Sequence, residues 1–364
     1  MKKHHPDFFM LDKLFFLKYT LKVKIIEIQN KRGNDMAIKI CGTGAYAPPN
    51  RMTNHEIAKF VDTTDCWIRE RTGIGERRIA KEETTTTMAV EAARRALEDA
   101  GMSAEELDAV IVSTISPDVI LPSVACEVQK ELGAENAFGF DVNAACTGYL
   151  VAYHIAASFI ETGACRKVLV IGSECLSKVV NWRDRSTCIL FGDGAGATVL
   201  QADPSEGHRT YATVTHSDGN RGVALTMKNR FDTCNLQKEM RSLELLDEQH
   251  YLQMDGQAVF KFAVKQVPEV IDEVLEKNKL QKEDIDWYVL HQANRRIVEA
   301  VAKRLGEPLD KFPMNMQEYG NTSSASIPIL LNEMKQEGKL KKGQKLVMAG
   351  FGAGLTWGAT IVEW

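Results

Sequence analysis

The chain has 364 residues, of which 44% are hydrophobic and 26% charged, with a formal net charge of −4. This length and apolar content suit a large buried core, and the negative balance gives no overall pull toward nucleic acid or an anionic membrane, so any basic partner site must be local. The eight cysteines (41, 66, 126, 146, 165, 175, 188 and 234) show no CxxC and no metal-ligand spacing, which points to reduced thiols in a cytosolic compartment and implies neither a disulfide framework nor a zinc site.

Residues 1-35 read as an N-terminal extension outside the fold, with eight Lys/Arg against four Asp/Glu. Their apolar patch, Phe8 to Leu17, is broken by Asp12 and Lys13. It is too short to span a bilayer and has no small-residue cleavage site; a membrane-surface helix is the alternative reading. Met36 opens the domain at Ile38-Lys39-Ile40. Next, Asp62 to Ile68 carries Trp67, which by itself reads as a partly buried surface anchor. Glu106 to Ser113 is an acid-rich turn followed by an apolar strand, and Ala137 to Val142 is another apolar run.

Small residues, Asn143-Ala144-Ala145-Cys146-Thr147-Gly148, then lead into the apolar segment Leu150 to Ile160. This predicts a strand-to-helix turn carrying Cys146. A helix start offers partial positive charge and free N–H groups, so the cysteine is biased toward thiolate with an oxyanion donor at hand. The bland reading is a buried cysteine acting as an inert small hydrophobe. Further on, Arg185 alone reads as an ion-pair partner of Asp184 or Asp193. Gly192, Gly194 and Gly196 in the FGDGAGA run do not fit G-x-G-x-x-G and read as close packing rather than a phosphate cradle.

In the C-terminal part, the strand-like run Asp286 to Leu290 stops at His291, and Asn294 opens a helix with Arg296, Lys303 and Arg304 on one face. That face is either solvated or a docking surface; it lacks the interleaved aromatics of a nucleic-acid binder. Gly320-Asn321 opens a second small-residue helix, which is also ordinary turn chemistry. Internal repetition weighs against coincidence. Glu106 to Ser113 resembles Asp284 to His291, and Phe191 to Leu200 resembles Phe351 to Val362; Cys146 follows Ser113 by 33 positions, and Ser324 follows His291 by the same 33. The chain therefore reads as two copies of one α/β unit with chemistry at their junction.

These motifs, with Arg71-Thr72-Gly73-Ile74, His291-Gln292-Ala293-Asn294 and Gly350 to Gly358, resemble a beta-ketoacyl-acyl-carrier-protein synthase III of the thiolase superfamily, over about Met36 to Trp364. The resemblance implies an α/β, thiolase-like fold whose duplicated halves, 36-206 with the nucleophile and 207-364 with His and Asn, form a layered α-β-α-β-α body. It implies an acyltransferase initiating type II fatty acid synthesis. Cys146 would take an acyl group from acyl-CoA, a substrate rather than a cofactor. Malonyl-acyl-carrier-protein would then lose carbon dioxide, with His291 Nε2 and the Asn321 amide on the enolate and the backbone N–H groups of Cys146 and Ala353 on the second oxyanion. No metal or redox cofactor is implied. Trp67 and Arg185 would sandwich the adenine of coenzyme A, with Arg71 near its phosphates and Asn294 on the pantetheine. Lys261, Gln292, Arg296, Lys303 and Arg304 would meet the acidic carrier protein, and Leu121 and Phe351 would shape the acyl pocket. The implied protein is a cytoplasmic homodimer without nucleic-acid or membrane partners.

The sequence departs from the family pattern at Leu121, where many relatives have phenylalanine, at Ala353, where many have glycine, and in a longer, charged stretch from Arg221 to Tyr251. A related synthase of secondary metabolism is the alternative function. A papain-like protease has Cys, His and Asn in the same order, but with its nucleophile near the N-terminus in a context absent here. A non-catalytic binding module is the remaining class.

Overall fold

The computed structural model describes residues 37–203, 210–229 and 250–364. The N-terminal extension, most of the long charged stretch and the 206/207 boundary lie outside the described residues. The first sheet has β1 (Ala37–Tyr46), β2 (Ala109–Ser113), β3 (Phe138–Val142), β4 (Lys167–Cys175) and β5 (Asp193–Asp203), in the spatial order β1-β5-β4-β2-β3. The second has β6 (Val214–Ser217), β7 (Trp287–Leu290), β8 (Lys345–Gly352) and β9 (Thr356–Glu363), in the order β7-β8-β9-β6. In each sheet a parallel pair is followed by antiparallel strands: β2 with β4, then β5 and β1; β7 with β8, then β9 and β6. The second sheet thus repeats the first without a counterpart of β3.

The helices of eight residues or more are α1 (Asp65–Thr72), α2 (Thr85–Ala100), α3 (Val124–Leu132), α4 (Gly148–Glu161), α5 (Gly256–Asn278), α6 (Arg295–Leu305) and α7 (Ser326–Gln336). Helices α4 and α7 each touch both sheets, whereas α2 packs on the first and α5 on the second. The layers therefore run α-β-α-β-α. Side-chain alternation along fully buried strands supplies both faces: Val110 and Val112 of β2 join the outer apolar cluster under α2, and Ala109 and Ile111 join the central one around α4 and α7. In β8, Val347, Ala349 and Phe351 face outward, while Leu346 and Met348 face the centre.

One expected pairing is corrected. Ala197 to Leu200 lies in β5 and Ala359 to Val362 in the matching strand β9, but Phe191-Gly192 precedes β5 whereas Phe351-Gly352 ends β8. Those two Phe-Gly pairs are not equivalent.

Candidate active site

Cys146 lies in a single 3₁₀ turn, Ala145–Thr147, immediately before α4. The turn is tight because Ala145 takes a left-handed φ of 46°, and because two glycines admit close neighbours, a side chain at Gly148 and backbone at Gly352. A Cβ on Gly148 would meet Ser113 Oγ at 1.8 Å, and one on Gly352 would meet Cys146 N at 2.8 Å. Strand β8 thus passes directly against the nucleophile. The thiol is not the ready thiolate expected from a helix start. Burial pushes it up to about 12, a nearby Ser323 hydroxyl lowers it less, and a negative charge on Glu174 would raise it further. Desolvation outweighs the helix-start field here.

His291 follows β7, its N–H bonded to Ala349 O at 2.9 Å. Its Nδ1 lies 2.7 Å from Ser326 Oγ, which also accepts a 3.4 Å bond from Gln292 N. Either the Ser326 hydroxyl donates to Nδ1, which leaves the ring proton on Nε2, or an Nδ1–H donates to Ser326 Oγ. Burial pulls the imidazole down to about 3, keeping it neutral. Asn321 is held by its backbone: its N–H donates to Leu190 O at 2.8 Å, and its carbonyl accepts from Gly192 N at 3.0 Å. Its Oδ1 accepts from Ser323 N at 2.8 Å, which fixes the amide and leaves Nδ2 free to donate.

Cys146, His291 and Asn321 line one cavity of about 400 Å³ together with Trp67, Arg71, Asn294, Arg296 and Phe351. A second cavity of about 380 Å³ opens on the other side of Cys146, between Ile115, Leu176, Leu225, Met227, Leu252 and Ala353. Ala353 is not among the residues with positive φ, so its alanine side chain carries no backbone penalty. Phe351 lies in the first cavity, edge-on to His291 with ring centroids 5.5 Å apart. Leu121 is 84% exposed, beside exposed Val119 and Ile120, and lines neither cavity of its own chain.

Similarity to known proteins decides the family. A family model of 3-oxoacyl-[acyl-carrier-protein] synthase III matches residues 140–219, and its C-terminal counterpart matches 275–364. The beta-ketoacyl-[acyl-carrier-protein] synthase III of Clostridium tetani is 47% identical over 330 residues, covering 90% of this chain and 98% of that protein. The chain belongs to the beta-ketoacyl-acyl-carrier-protein synthase III family. Among solved structures, the synthase III of Aquifex aeolicus superposes with a TM-score of 0.83 at 46% identity, covering 90% of this chain and all of that one. The priming beta-ketosynthase of the R1128 polyketide pathway gives 0.83 at 37% identity, covering 91% and 97% of the two chains.

At the mouth of the synthase cavity, the guanidinium groups of Arg71 and Arg185 lie 4.3 and 4.9 Å from the Trp67 ring centre. Arg185 also donates to Asp62 O at 2.9 Å. It does not pair with Asp184, which caps Ser186 N, or with Asp193, which accepts from Ala80 and Ser177 N–H groups. In this geometry no purine fits between Trp67 and Arg185; a sandwich requires Arg185 to swing away from Asp62. Asn294 caps α6 through Arg296 N at 2.8 Å and donates to Arg71 O at 3.0 Å.

Lys261, Arg296, Lys303 and Arg304 are exposed on α5 and α6. Arg296 lies over Phe260, and Arg304 pairs with Glu269 at 3.1 Å. Gln292 is corrected: it is 1% exposed, its amide donating to Leu290 O and its Oε1 accepting from Asn315 N, so it cannot touch a docked protein. Sequence reading missed Ser326, which bonds to His291 Nδ1, and Glu174, a lone acid ending the apolar run Val168 to Ser173. That unpaired charge type in a buried strand was the available signal.

Proposed function

We propose that this synthase runs two half-reactions at Cys146: acylation by a short acyl-CoA, then decarboxylative Claisen condensation with malonyl-acyl-carrier-protein to give 3-oxoacyl-acyl-carrier-protein, CoA and CO2. The observation that carries the reading is that His291 and Asn321 line the same cavity as Cys146, where His291 Nε2 and Asn321 Nδ2 would serve as N–H donors. Neutral donors suit an enolate, whose charge appears only during decarboxylation. At rest the site holds a thiol and a neutral imidazole, so acylation needs the thiol proton to move. In the tautomer whose Nδ1–H donates to Ser326 Oγ, Nε2 carries no proton and accepts that of the thiol, forming an imidazolium, and the resulting thiolate attacks the thioester carbonyl. The N–H groups of Cys146 and Ala353 then face the oxyanion, and the departing CoA thiolate takes the proton from His291.

The acyl chain enters the second cavity, whose apolar wall of Ile115, Leu176, Leu225, Met227 and Leu252 suits an alkyl primer. Coenzyme A and the carrier's pantetheine use Trp67, Arg71, Arg185 and Asn294, and the acidic carrier docks on Lys261, Arg296, Lys303 and Arg304. The protein is a cytoplasmic homodimer. The edge strand β3 and exposed Phe138, Val119, Ile120 and Leu121 form its pairing face, and Leu121 reaches the partner's acyl pocket. No helix among the described residues is long and apolar enough to cross a membrane.

The likeness to a polyketide priming synthase keeps a secondary-metabolic product as the alternative. Rates with malonyl-carrier proteins of the fatty acid and polyketide types test this reading. Faster condensation with the fatty acid carrier supports it, and turnover only with the polyketide carrier overturns it.

A further inference from the structure

The halves repeat each other at the nucleophile turn, and the second copy of that turn meets a group the reaction does not use. Ser113 pairs with Gly172 and Leu290 with Ala349; one step further, His291 stands beside Gly350 as Ser113 does beside Gly172. Each glycine lets its strand pass under the other half's turn: a Cβ on Gly350 would lie 3.6 Å from Cys146 O, and one on Gly172 would lie 2.3 Å from Ser324 O. Cys146 therefore has Ser324 as its counterpart, and the residues before them, Ala145 and Ser323, share the left-handed φ values 46° and 49°. Two residues along each strand, Gly352 lies against Cys146, and its counterpart Glu174 lies against Ser324.

Glu174 is fully buried. Its Oε2 accepts from Ser116 Oγ at 2.7 Å, Ile115 N at 3.1 Å and Thr114 Oγ1 at 3.2 Å. Its Oε1 lies 2.9 Å from Ser324 Oγ, which lies 2.9 Å from Ser113 O as well. Those two contacts need two protons, and the Ser324 hydroxyl has one. The Ser113 carbonyl can only accept, so the missing proton belongs to the carboxyl. No ion pair compensates Glu174 among the described residues. Its surroundings are hydroxyls and amides of the turns after β2 and before α7, together with the Cys146 thiol beyond Ser323. The carboxyl of Asp193, opposite Cys175 on β5, is turned to Ala80 and Ser177. Burial without a cation raises the acid, as an apolar interior must.

We propose that Glu174 is a neutral carboxylic acid that donates from Oε1 to Ser324 Oγ, latching the Asn321 turn onto the Ser113–Ser116 turn and keeping negative charge away from Cys146. It is a positioning residue. The latch reaches the enolate donor because Ser323 N, next to Ser324, holds Asn321 Oδ1 at 2.8 Å. The inference rests on the condensing function proposed above.

The test is infrared spectroscopy of the wild type, Glu174→Gln and Ser324→Ala at neutral pH, with pH profiles of Cys146 alkylation by iodoacetamide and of malonyl-thioester decarboxylation. A protonated-carboxyl carbonyl band lost in Glu174→Gln and shifted in Ser324→Ala is expected. Glu174→Gln, whose amide both donates and accepts, should keep the wild-type pH profiles, while Glu174→Ala should lose decarboxylation about 10-fold or more, the scale for an outer-shell partner. Absence of the band, a band unmoved by Ser324→Ala, or an alkylation profile moved to lower pH in Glu174→Gln overturns the proposal. If the glutamate variants do not fold, the band in Ser324→Ala decides alone. A shifted band in a protein that does not decarboxylate would instead sink the condensing function and leave the carboxyl assignment standing.

Discussion

Replacing Asn321 separates its two bonds. The side chain accepts from Ser323 N through Oδ1 and offers Nδ2 to the cavity. Asn321→Ala removes both, leaving a buried N–H unpaired at about 1–3 kcal/mol of stability and removing one oxyanion donor, which costs about 10²–10³ in kcat. Asn321→Asp keeps an oxygen for Ser323 N but replaces the donor with an acceptor, so it should lose decarboxylation by at least the same about 10²-fold with a smaller loss of stability. Both variants should still acylate Cys146, because neither bond touches the thiol. The assay pairs release of labelled CO2 from malonyl-carrier protein with intact mass after acyl-CoA. Should Asn321→Asp decarboxylate at the wild-type rate, or lose acylation instead, the enolate role is wrong.

Reversing Arg296 to Glu should raise the KM for malonyl-carrier protein about 5- to 10-fold, as expected for about 1 kcal/mol of like-charge contact, leave acyl-CoA use nearly unchanged, and shrink with added salt; equal losses for both substrates would point to the Phe260 contact instead. Leu121→Phe should lower the hexanoyl-to-acetyl rate ratio about 10-fold, the scale of one methylene-sized misfit, and an unchanged ratio would place the pocket floor elsewhere. His291, held neutral by burial with its pKa down at about 3, binds a proton more readily when unfolded. Its contribution to stability is present above the unfolded value of about 6.5 and is lost as pH falls toward the folded value. His291→Gln should therefore flatten the stability profile on the acid side of neutrality, and parallel denaturation curves for the two proteins would refute that burial.

Much of this architecture was legible because local chemistry and tertiary role coincide. The small residues around Cys146 permit the Ala145 turn, and the 33-residue spacing marked a duplication that the sheets repeat strand for strand apart from β3. Other features depend on what lies opposite in space. The state of the Cys146 thiol is set by burial, which no helix-start pattern reveals. Gln292 was placed at the carrier surface by resemblance, yet Leu290, Pro313 and Asn315 satisfy its amide internally. Phe351 matched an acyl-pocket position by resemblance, and only the fold shows it edge-on to His291 in the cavity of Cys146. Ser326 and Glu174 act through partners 35 and 150 positions away, beyond any local pattern.

The most direct test of the central claim is intact-protein mass spectrometry, with peptide mapping, after mixing the enzyme with acyl-CoA and then with malonyl-carrier protein. The account predicts a one-acyl mass gain on Cys146, absent in Cys146→Ala, retained in Asn321→Ala, and discharged from the wild type alone of these three as 3-oxoacyl-carrier protein forms. Acylation persisting at another cysteine in Cys146→Ala, or an acyl-enzyme that malonyl-carrier protein never discharges, would contradict it.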